Sequence, residues 1–424
     1  MKIAYFSPLP PKKTGISTYS YHLSKAINKL AEVHLYDADI YYSRLEDIPV
    51  KDFIRYPEVL CDLDKYDALL YHLGNNPHYH LDIYQVFLQK PGFVVLHDTV
   101  LYYLIAGLGK GGMLKEFCLN YGKDRLKEFW DLINQCPDAD ILRYQFPEKY
   151  PFIDRVLSNA LGIIVHSHTS KQFILNGGYK GDISVVNLLD YPKNTEEINP
   201  EDKEVLINKH NWSKDTIIIG CFGFIGGTKR IKTLIDAFIN LVKFHKLNVK
   251  LLIVGEGDTI PINIYIQNKN IQNNVIQTGF VSDQEFKLYL SLSDIVVNLR
   301  YPSMGEVSAT LIQAFSYAKP CVVTNHAWFS ELPDECVRKV GYGTEELDEL
   351  VKVLLELIQK PEMRQRLGMN AQKYVQLNCE PDRVAQAYID VLKSTGNNMT
   401  KINGELNSKW LKDYMITRLR KAIP

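Results

Sequence analysis

One segment of the sequence places an acid, hydroxyls and an amide directly after an apolar strand. Asp294–Leu299 predicts a buried strand, a Pro/Gly loop follows, and a helix is expected over about Val307–Ala318. Glu306, Thr310 and Gln313 fall near one side of this helix, opposite its apolar face. A helix start attracts anions because its first amides have no partners within the helix. The segment therefore predicts an anion site or, alternatively, an ordinary strand–helix turn.

Cations and a glycine follow other predicted strands. Lys229 and Arg230 begin a helix right after the glycine-rich loop Gly223–Thr228, where two cations oppose the helix dipole. A bound diphosphate would offset that repulsion, and Arg300, at the end of its own strand, could add a further contact. Gly15, beyond the first strand, permits close approach of the backbone to a ligand. Solvated side chains and a solvated loop are the alternatives here.

Histidine and asparagine side chains lie beyond strands in the first half of the chain. His97 directly follows a strand that ends at Leu96, a position suited to an acid, a base or a hydrogen-bond donor. Asn75, Asn76 and His80 follow the preceding strand. Ligands of open parallel sheets bind beyond the carboxyl ends of the strands, so both groups are candidate site residues.

Known motifs exclude several classes of site. The pairs His78-x-His80 and His166-x-His168 have neither an HExxH motif nor a cysteine companion, so no metal site is expected. No GxGxxG follows the first strand, and no GxxxxGK[ST] or GxSxG occurs. These absences argue against dinucleotide enzymes, nucleoside triphosphatases and α/β hydrolases.

Length and composition indicate a two-domain globular protein of the cytoplasm. A chain of 424 residues is too long for one ordinary core. Lysine plus arginine equals aspartate plus glutamate at 49 each, so no excess charge favours nucleic acid as a partner. The seven cysteines have no ligand spacing, the N-terminus does not resemble a signal sequence, and no apolar run approaches the ~18–20 residues of a membrane span.

Apolar strands alternate with helical segments along the chain, which predicts α/β domains with parallel sheets. The predicted segments include strands at Phe93–Leu96, Gly162–Val165 and Val249–Val254, a helical stretch around 113–133 and a helix over Ile231–Phe244. We expect two doubly wound domains, at 1–195 and 200–380, with a linker near 191–205 and a helical tail at 381–424. The tail either returns to the first domain or mediates association. From about Leu406 it could form an amphipathic helix with a basic face. Such a helix packs on the protein's own surface, on a second subunit, or at a membrane interface.

Five motifs in order resemble the donor domain of glycosyltransferase family 4. They are Phe222–Ile231, Leu252–Asp258, Thr278–Asp283, Ser293–Val296 and Gly305–Ala314. Gly15, Gly74–Asn76 and Leu96–Asp98 fit the family's first domain, so the resemblance covers about 1–390. It implies the GT-B architecture, in which two Rossmann-like doubly wound domains face a cleft. It also implies a retaining transferase that uses a nucleoside-diphosphate sugar as co-substrate and needs neither a metal nor a cofactor.

The same resemblance assigns roles to the candidate residues. The diphosphate would contact a set of cations, a glycine and helix amides: Lys229, Arg230, Arg300, Gly15, Ser308, Ala309 and Thr310. Phe280 and Val281 would meet the base and Gln313 the ribose. Glu306 would bind the donor sugar and His97 a sugar hydroxyl, and both are the catalytic candidates. The acceptor side would include Asn75, Asn76 and His80.

Two positions depart from the family pattern. The family has two glutamates separated by seven residues, whereas Glu306 and Gln313 are separated by six and the second is an amide. An arginine usually lies five positions before the lysine, where this chain has Phe224. Arg300 or Arg230 must then supply the second positive charge.

Three functions are compatible with these residues. The leading one is a hexosyltransferase that moves a hexose or deoxyhexose to a glycan or lipid-linked acceptor in bacterial surface polysaccharide synthesis. Its expected location is the cytoplasm or the inner face of the cell membrane. A catalytically silent GT-B-like binding or assembly protein and a nucleotide-sugar epimerase are the alternatives.

Overall fold

The computed structural model describes residues 1–191, 199–210, 212, 213, 215–257 and 259–394. The chain divides into two compact units. The first unit consists of Met1–Leu189, Met304–Val307 and, among the described C-terminal residues, Pro381–Ser394. The second unit consists of Asp190–Ser303 and Ser308–Glu380. Each unit has its own sheet of mainly parallel strands, so the predicted fold class of two Rossmann-like α/β domains is confirmed.

The first unit contains an eight-stranded sheet in its described residues. The strands are Lys2–Phe6 (β1), Glu32–Asp37 (β2), Arg44–Leu45 (β3), Ile48–Asp52 (β4), Ala68–Leu73 (β5), Phe93–Leu96 (β6), Gly162–Val165 (β7) and Ile183–Val185 (β8). The helices are Gly15–Asn28 (α1), Pro77–Gln89 (α2), Tyr102–Ala106 (α3), Gly109–Tyr121 (α4), Leu126–Gln135 (α5), Asp154–Asn159 (α6) and His168–Asn176 (α7). The first unit also includes a C-terminal helix, which is numbered after those of the second unit.

The described part of the second unit contains a six-stranded sheet. Its strands are Ile217–Phe222 (β9), Val249–Val254 (β10), Val275–Gln277 (β11), Ile295–Asn298 (β12), Cys321–Thr324 (β13) and Val337–Val340 (β14). Its helices are Pro200–Lys209 (α8), Ile231–Ile239 (α9), Ile260–Asn268 (α10), Asp283–Leu292 (α11), Ala309–Ser316 (α12), Trp328–Glu331 (α13), Glu346–Gln359 (α14) and Pro361–Asn378 (α15). Pro381–Ser394 (α16) completes the helices of the first unit.

Both sheets reverse their strand order at one point. The first runs β3-β4-β2-β1-β5-β6-β7-β8, with only the β3–β4 pair antiparallel, and the second runs β11-β10-β9-β12-β13-β14 with all pairs parallel. In such sheets ligands bind beyond the carboxyl ends of the strands at the reversal. The reversal lies between β1 and β5 in the first unit and between β9 and β12 in the second. The loops that follow these strands contain most of the candidate residues.

Buried strands explain why the polar residues collect at the loops. β5, β6 and β7 are buried along their whole length, as expected for parallel strands covered by helices on both faces. The helices begin with local signals, such as Pro77 at the start of α2 and the Ser282–Glu285 capping box of α11. Among the described residues, no helix is both long and apolar enough to cross a membrane.

The structure corrects three of the predicted segments. The helical stretch expected at 113–133 is two helices, because Gly122 adopts a φ of +89° between α4 and α5. The segment expected to be a linker near 191–205 already contains the start of α8 at Pro200. The helix expected from Ile231 to Phe244 ends at Ile239 and continues as a π-helical turn. The amphipathic helix predicted from Leu406 lies outside the described residues.

Candidate active site

In the second unit, a buried lysine lies at the carboxyl end of β9. Lys229 is 5% exposed, and its Nζ donates to the carbonyl oxygen of Phe222 at 2.6 Å. Gly223 has a φ of +100°, and a Cβ there would lie 3.3 Å from Lys229 Nζ and 3.2 Å from the Thr310 methyl carbon. The glycine therefore leaves space between an ammonium group and the start of α12. A phosphate in that space would lie beside the positive charge of Lys229.

A second cation lies beside the same loop. Arg300 follows β12, and its Nη1 donates to the hydroxyl of Thr228 at 3.3 Å. The backbone amide of Tyr301 donates to the carbonyl of Thr228 at 2.9 Å, which holds the two loops together. Because Thr228 precedes Lys229, both cations belong to one cluster at the reversal of the sheet. This geometry is compatible with the predicted substitute role of Arg300.

The N-terminus of α12 is fixed by a small hydroxyl network. Ser308 caps the helix by accepting from the amide of Leu311, and its hydroxyl lies 3.0 Å from that of Thr310. Asn298, at the end of β12, donates to Ser308 at 2.8 Å. Ala309 and Thr310 are half-buried in the first turn, where backbone amides have no acceptor within the helix, and the Thr310 side chain lies beside Gly223. The predicted anion site is therefore a capped helix start next to two cations.

Arg230, which the resemblance assigns to the diphosphate, has an ion-pair partner in the second unit. Its guanidinium is bound to the carboxylate of Glu346, which is buried, with Nε distances of 3.3 and 3.0 Å. Arg230 also has a φ of +53°, which turns the chain between the loop and α9. The ion pair balances its charge, so Lys229 and Arg300 are the main cations of this cluster, and the contact of Arg230 with a diphosphate stays a prediction.

The remaining donor-side candidates lie on two elements of the second unit. Phe280 is exposed and Val281 half-buried in the loop between β11 and α11. Gln313 is half-buried on α12, one turn after Thr310. Phe224, at the position of the missing arginine, is 72% exposed on the glycine-rich loop. Their assignments to base and ribose stay predictions.

Glu306 lies in the short segment that belongs to the first unit. The carbonyl of Met304 accepts from the amides of Thr99 and Val100, at 2.8 and 3.1 Å. Gly305 has a φ of +92°, and a Cβ there would lie 2.1 Å from the Thr99 hydroxyl oxygen. The carboxylate of Glu306 accepts from the amide of Met304 at 2.6 Å. The glycine thus permits close packing that fixes the position of the acid.

The loops beyond β1 and β5 have largely structural contacts. Gly15 is the first residue of α1, and nothing lies within 4 Å of a Cβ built there. The side chain of Asn75 accepts from the amides of Tyr103 and Leu104, at 2.8 and 3.3 Å. Asn76 caps α2 by accepting from the amide of His78 at 3.0 Å. The two asparagines therefore shape this edge of the sheet, and their acceptor role stays a prediction.

His97 belongs to a buried group of four histidines, which we call the histidine cluster: His72, His80, His97 and His166. His97 is the most exposed of them at 9%, and His72 is fully buried. The ring centroid of His97 lies 5.2 Å from that of His72 and 4.9 Å from that of His166. Tyr19 of α1 packs edge-on against His97 at 5.3 Å, and its hydroxyl lies 2.9 Å from that of Tyr388 on α16.

His80, which the resemblance assigns to the acceptor side, is buried, and that assignment stays a prediction. It is 1% exposed, and its Nδ1 lies 3.1 Å from the carbonyl oxygen of His72. His80 is therefore an interior residue of the first unit. His78 and His168 are exposed while the partners in their pairs are buried, so neither pair converges on one point. Among the described residues, no group of three or more His, Cys, Asp and Glu side chains could hold a metal ion.

Burial keeps the histidine cluster neutral. It lowers the pKa of His72 and His97 well below the ordinary value of 6.5. It lowers the pKa of His80 and His166 to about 4 each. The rings also disfavour one another's protonation, since each charged ring would repel the next. His97 can therefore donate or accept a hydrogen bond near pH 7 without carrying a charge.

Comparison with known proteins gives a family match for a large part of the second unit. Residues 202–374 match the family described as Glycosyl transferases group 1, which confirms the resemblance seen in the motifs. An alpha-monoglucosyldiacylglycerol synthase from Acholeplasma laidlawii is 26% identical over 191 residues, 45% of this chain and 46% of that protein. A synthase of the same name from Streptococcus pneumoniae is 26% identical over 178 residues, 41% of this chain and 38% of that protein. The chain spans about half the length of the curated relatives it matches.

Solved structures share the fold over most of this chain. HepE of Anabaena, crystallised in complex with UDP, has a TM-score of 0.67 at 16% identity and covers 93% of this chain and 100% of its own. HepE was also solved with UDP-glucose. Sucrose-phosphate synthase from Thermosynechococcus elongatus has a TM-score of 0.65 at 15% identity, with 93% and 98% coverage. The fold is therefore that of the GT-B glycosyltransferases.

Proposed function

We propose that this chain, which carries a group 1 glycosyl transferase domain over residues 202–374, transfers a hexose or deoxyhexose from a nucleoside diphosphate to a glycan or lipid-linked acceptor. The reaction proceeds with retention and without a metal, and its setting is bacterial surface glycan synthesis. The observation that carries the proposal is the buried Lys229 beside Gly223 and the start of α12. The UDP and UDP-glucose complexes of HepE support a uridine nucleotide as the first donor to test.

The chemistry follows from where charge develops. As the bond between the anomeric carbon and the diphosphate breaks, negative charge grows on the leaving phosphate. Lys229, Arg300 and the amides of Ala309 and Thr310 form a fixed positive environment for that charge. Groups that are already oriented need no reorganisation during the reaction, so they stabilise the transition state more than water does. No metal ion is required for this stabilisation.

The first unit supplies groups for the neutral part of the donor. His97 is a neutral ring with access to the surface of the unit, so it suits contact with a sugar hydroxyl. Glu306 is held by the Met304 amide and can accept hydrogen bonds from other hydroxyls of the sugar. We assign both as catalytic residues of the transfer.

A binding panel with turnover measurements tests the proposal. The full chain is heated with UDP-, GDP- and TDP-sugars, and cleavage of each donor is followed with and without EDTA. We expect one nucleotide class to raise the melting temperature and donor cleavage to be insensitive to EDTA. The anomeric configuration of the product, read by NMR, should match that of the donor. If no nucleotide sugar stabilises the chain, the transferase proposal is wrong.

The same panel separates the proposal from a catalytically silent binding protein. The exposed Phe224, where the family has an arginine, is the observation that favours that second candidate. A silent protein would be stabilised by a nucleotide sugar and would not cleave it with any acceptor. The Phe224→Arg variant would then be expected to gain affinity for the nucleotide.

A further inference from the structure

Two histidines of the first unit share a hydrogen bond that strand register creates. His72 lies within β5 and His97 directly follows β6, and Leu73 pairs with Leu96 between these parallel strands. The amide of His97 donates to the carbonyl of Leu73 at 2.9 Å, which extends the ladder by one residue. The side chains then meet, with Nδ1 of His72 lying 2.9 Å from Nε2 of His97.

The surroundings of His72 decide which nitrogen carries the proton. Both rings are neutral, so each has one N–H and one lone pair. If His97 donated to His72, the remaining N–H of His72 would be on Nε2. That atom is buried and has no hydrogen-bond partner among the described residues. An orphaned buried N–H is costly and rare in proteins, so His72 Nδ1–H is the donor and His97 Nε2 is the acceptor.

The other two histidines are consistent with this assignment. Nδ1 of His80 faces the carbonyl of His72, and Nδ1 of His166 faces the carbonyl of Val186 at 2.8 Å. A carbonyl oxygen only accepts, so both rings carry their proton on Nδ1. Tyr5 stacks on His72 at 4.4 Å between ring centroids, which restricts rotation of that ring. The orientation of His72 is therefore fixed by stacking and by its bond to His97.

We infer that His72 is a positioning residue that holds His97 in the tautomer with its proton on Nδ1. In that state His97 presents a neutral N–H donor, suited to a sugar hydroxyl oxygen rather than to a phosphate. The opposite tautomer would present a lone pair at the same place and would select a hydroxyl hydrogen. This inference rests on the proposed function for the identity of the sugar, while the tautomer itself is a property of the free protein.

Two variants of His72 test the kinetic consequence. His72→Phe retains stacking on Tyr5 and removes the donor, whereas in His72→Asn the side-chain amide can occupy the place of Nδ1–H. We expect His72→Phe to lower kcat for donor cleavage about 10- to 100-fold, with KM for the donor changed less than about threefold. His72→Asn should recover kcat to within about threefold of the natural chain. If kcat of His72→Phe is unchanged, or if a folded His72→Asn falls as far, the inference is overturned.

A spectroscopic measurement separates this inference from the proposed function. Nitrogen chemical shifts of the imidazole rings are recorded on the full chain with labelled histidine, and His97 is assigned by its loss in His97→Gln. We expect Nδ1 of His97 to be protonated and Nε2 to show the chemical shift of an unprotonated nitrogen. In His72→Phe, Nε2 should become less shielded, or the proton should move from Nδ1 to Nε2. A protonated Nε2 on His97 in the natural chain overturns the inference even if transfer is confirmed. The expected shifts without any turnover would support the tautomer and refute the transferase.

Discussion

The histidine cluster of the first unit is buried and neutral, whereas the second unit gathers Lys229 and Arg300 around a glycine-rich loop. His97 follows β6, next to the reversal of the first sheet, and Lys229 and Arg300 lie beyond β9 and β12, at the reversal of the second. Because the histidines are buried without an ionic partner among the described residues, they stay neutral and can form hydrogen bonds with neutral hydroxyls. Two cations and a helix start give the second unit a place for an anion. Under the proposed function, the neutral groups would bind the sugar and the cations its leaving group.

Loss of the lysine at the anion site should have the largest effect on nucleotide binding. Lys229→Ala should weaken binding of the nucleotide about 10- to 100-fold, because a hydrogen bond to a charged group contributes about 1.5–3 kcal/mol. Isothermal titration with UDP measures the change. Lys232→Ala is the matched control, since Lys232 is exposed on α9, the helix that follows Lys229, with its Nζ 5.0 Å from the Tyr265 ring centroid. Equal losses in the two variants would mean that general charge, and not the loop, binds the nucleotide.

Arg230 and Arg300 should differ in their effects on nucleotide binding and on stability. Arg230→Ala leaves the buried carboxylate of Glu346 without its partner, so we expect a loss of about 1–3 kcal/mol in the free energy of unfolding. Its nucleotide affinity should stay close to that of the natural chain. Arg300→Ala should show the reverse, with affinity about tenfold weaker and little change in stability. Chemical denaturation measures the free energy of unfolding of both variants, and titration measures their affinity for the nucleotide. Equal changes of both quantities in the two variants would contradict the structural role of Arg230.

Acid should destabilise the first unit through its histidines. The pKa of His80 and His166 is lowered to about 4 in the folded chain, against an ordinary value of 6.5. Between these values the unfolded chain binds more protons, so this contribution to stability is full above pH 6.5 and is lost as the pH falls toward about 4. Melting temperatures at several pH values measure the slope. His166→Asn, which retains a donor for Val186, should reduce that slope, and an unchanged slope would refute the account.

The smallest expected effect concerns the contact between α1 and α16. Tyr388→Phe removes one buried hydroxyl from the Tyr19–Tyr388 hydrogen bond, which should cost about 0.5–1.5 kcal/mol in the free energy of unfolding. Denaturant unfolding measures it. Tyr374→Phe, at a half-buried tyrosine of the second unit, is the control for loss of a hydroxyl. If Tyr388→Phe weakened nucleotide binding without lowering the free energy of unfolding, a role limited to stabilising the first unit would be contradicted.

The central strands of both sheets were predictable from the sequence. Phe93–Leu96, Gly162–Val165 and Val249–Val254 were predicted at the bounds that the structure shows, because short apolar runs between polar loops are typical of buried parallel strands. The strands at the edge were missed. Arg44–Leu45, at the edge, and Ile48–Asp52, next to it, are short. Pro49 argues against a strand in the sequence, because proline has no amide to donate to a neighbouring strand.

The candidate site was predictable only in part. Lys229, Arg300 and the start of α12 were found because strand ends and helix starts are local signals that also match family motifs. The partner of Arg230 was not found, since Glu346 lies 116 residues away along the chain. His72 was missed for a similar reason. A histidine inside an apolar strand gives no local sign of its function, and its bond to His97 depends on the register of β5 and β6.

The division of work between the two units is tested most directly by titrating UDP and UDP-glucose into the natural chain, Lys229→Ala and His97→Ala. We predict that Lys229→Ala weakens both ligands by a similar factor. His97→Ala should leave the affinity for UDP unchanged and lower affinity or turnover only for UDP-glucose. The account is contradicted if His97→Ala weakens UDP as much as Lys229→Ala does, or if Lys229→Ala leaves both affinities intact.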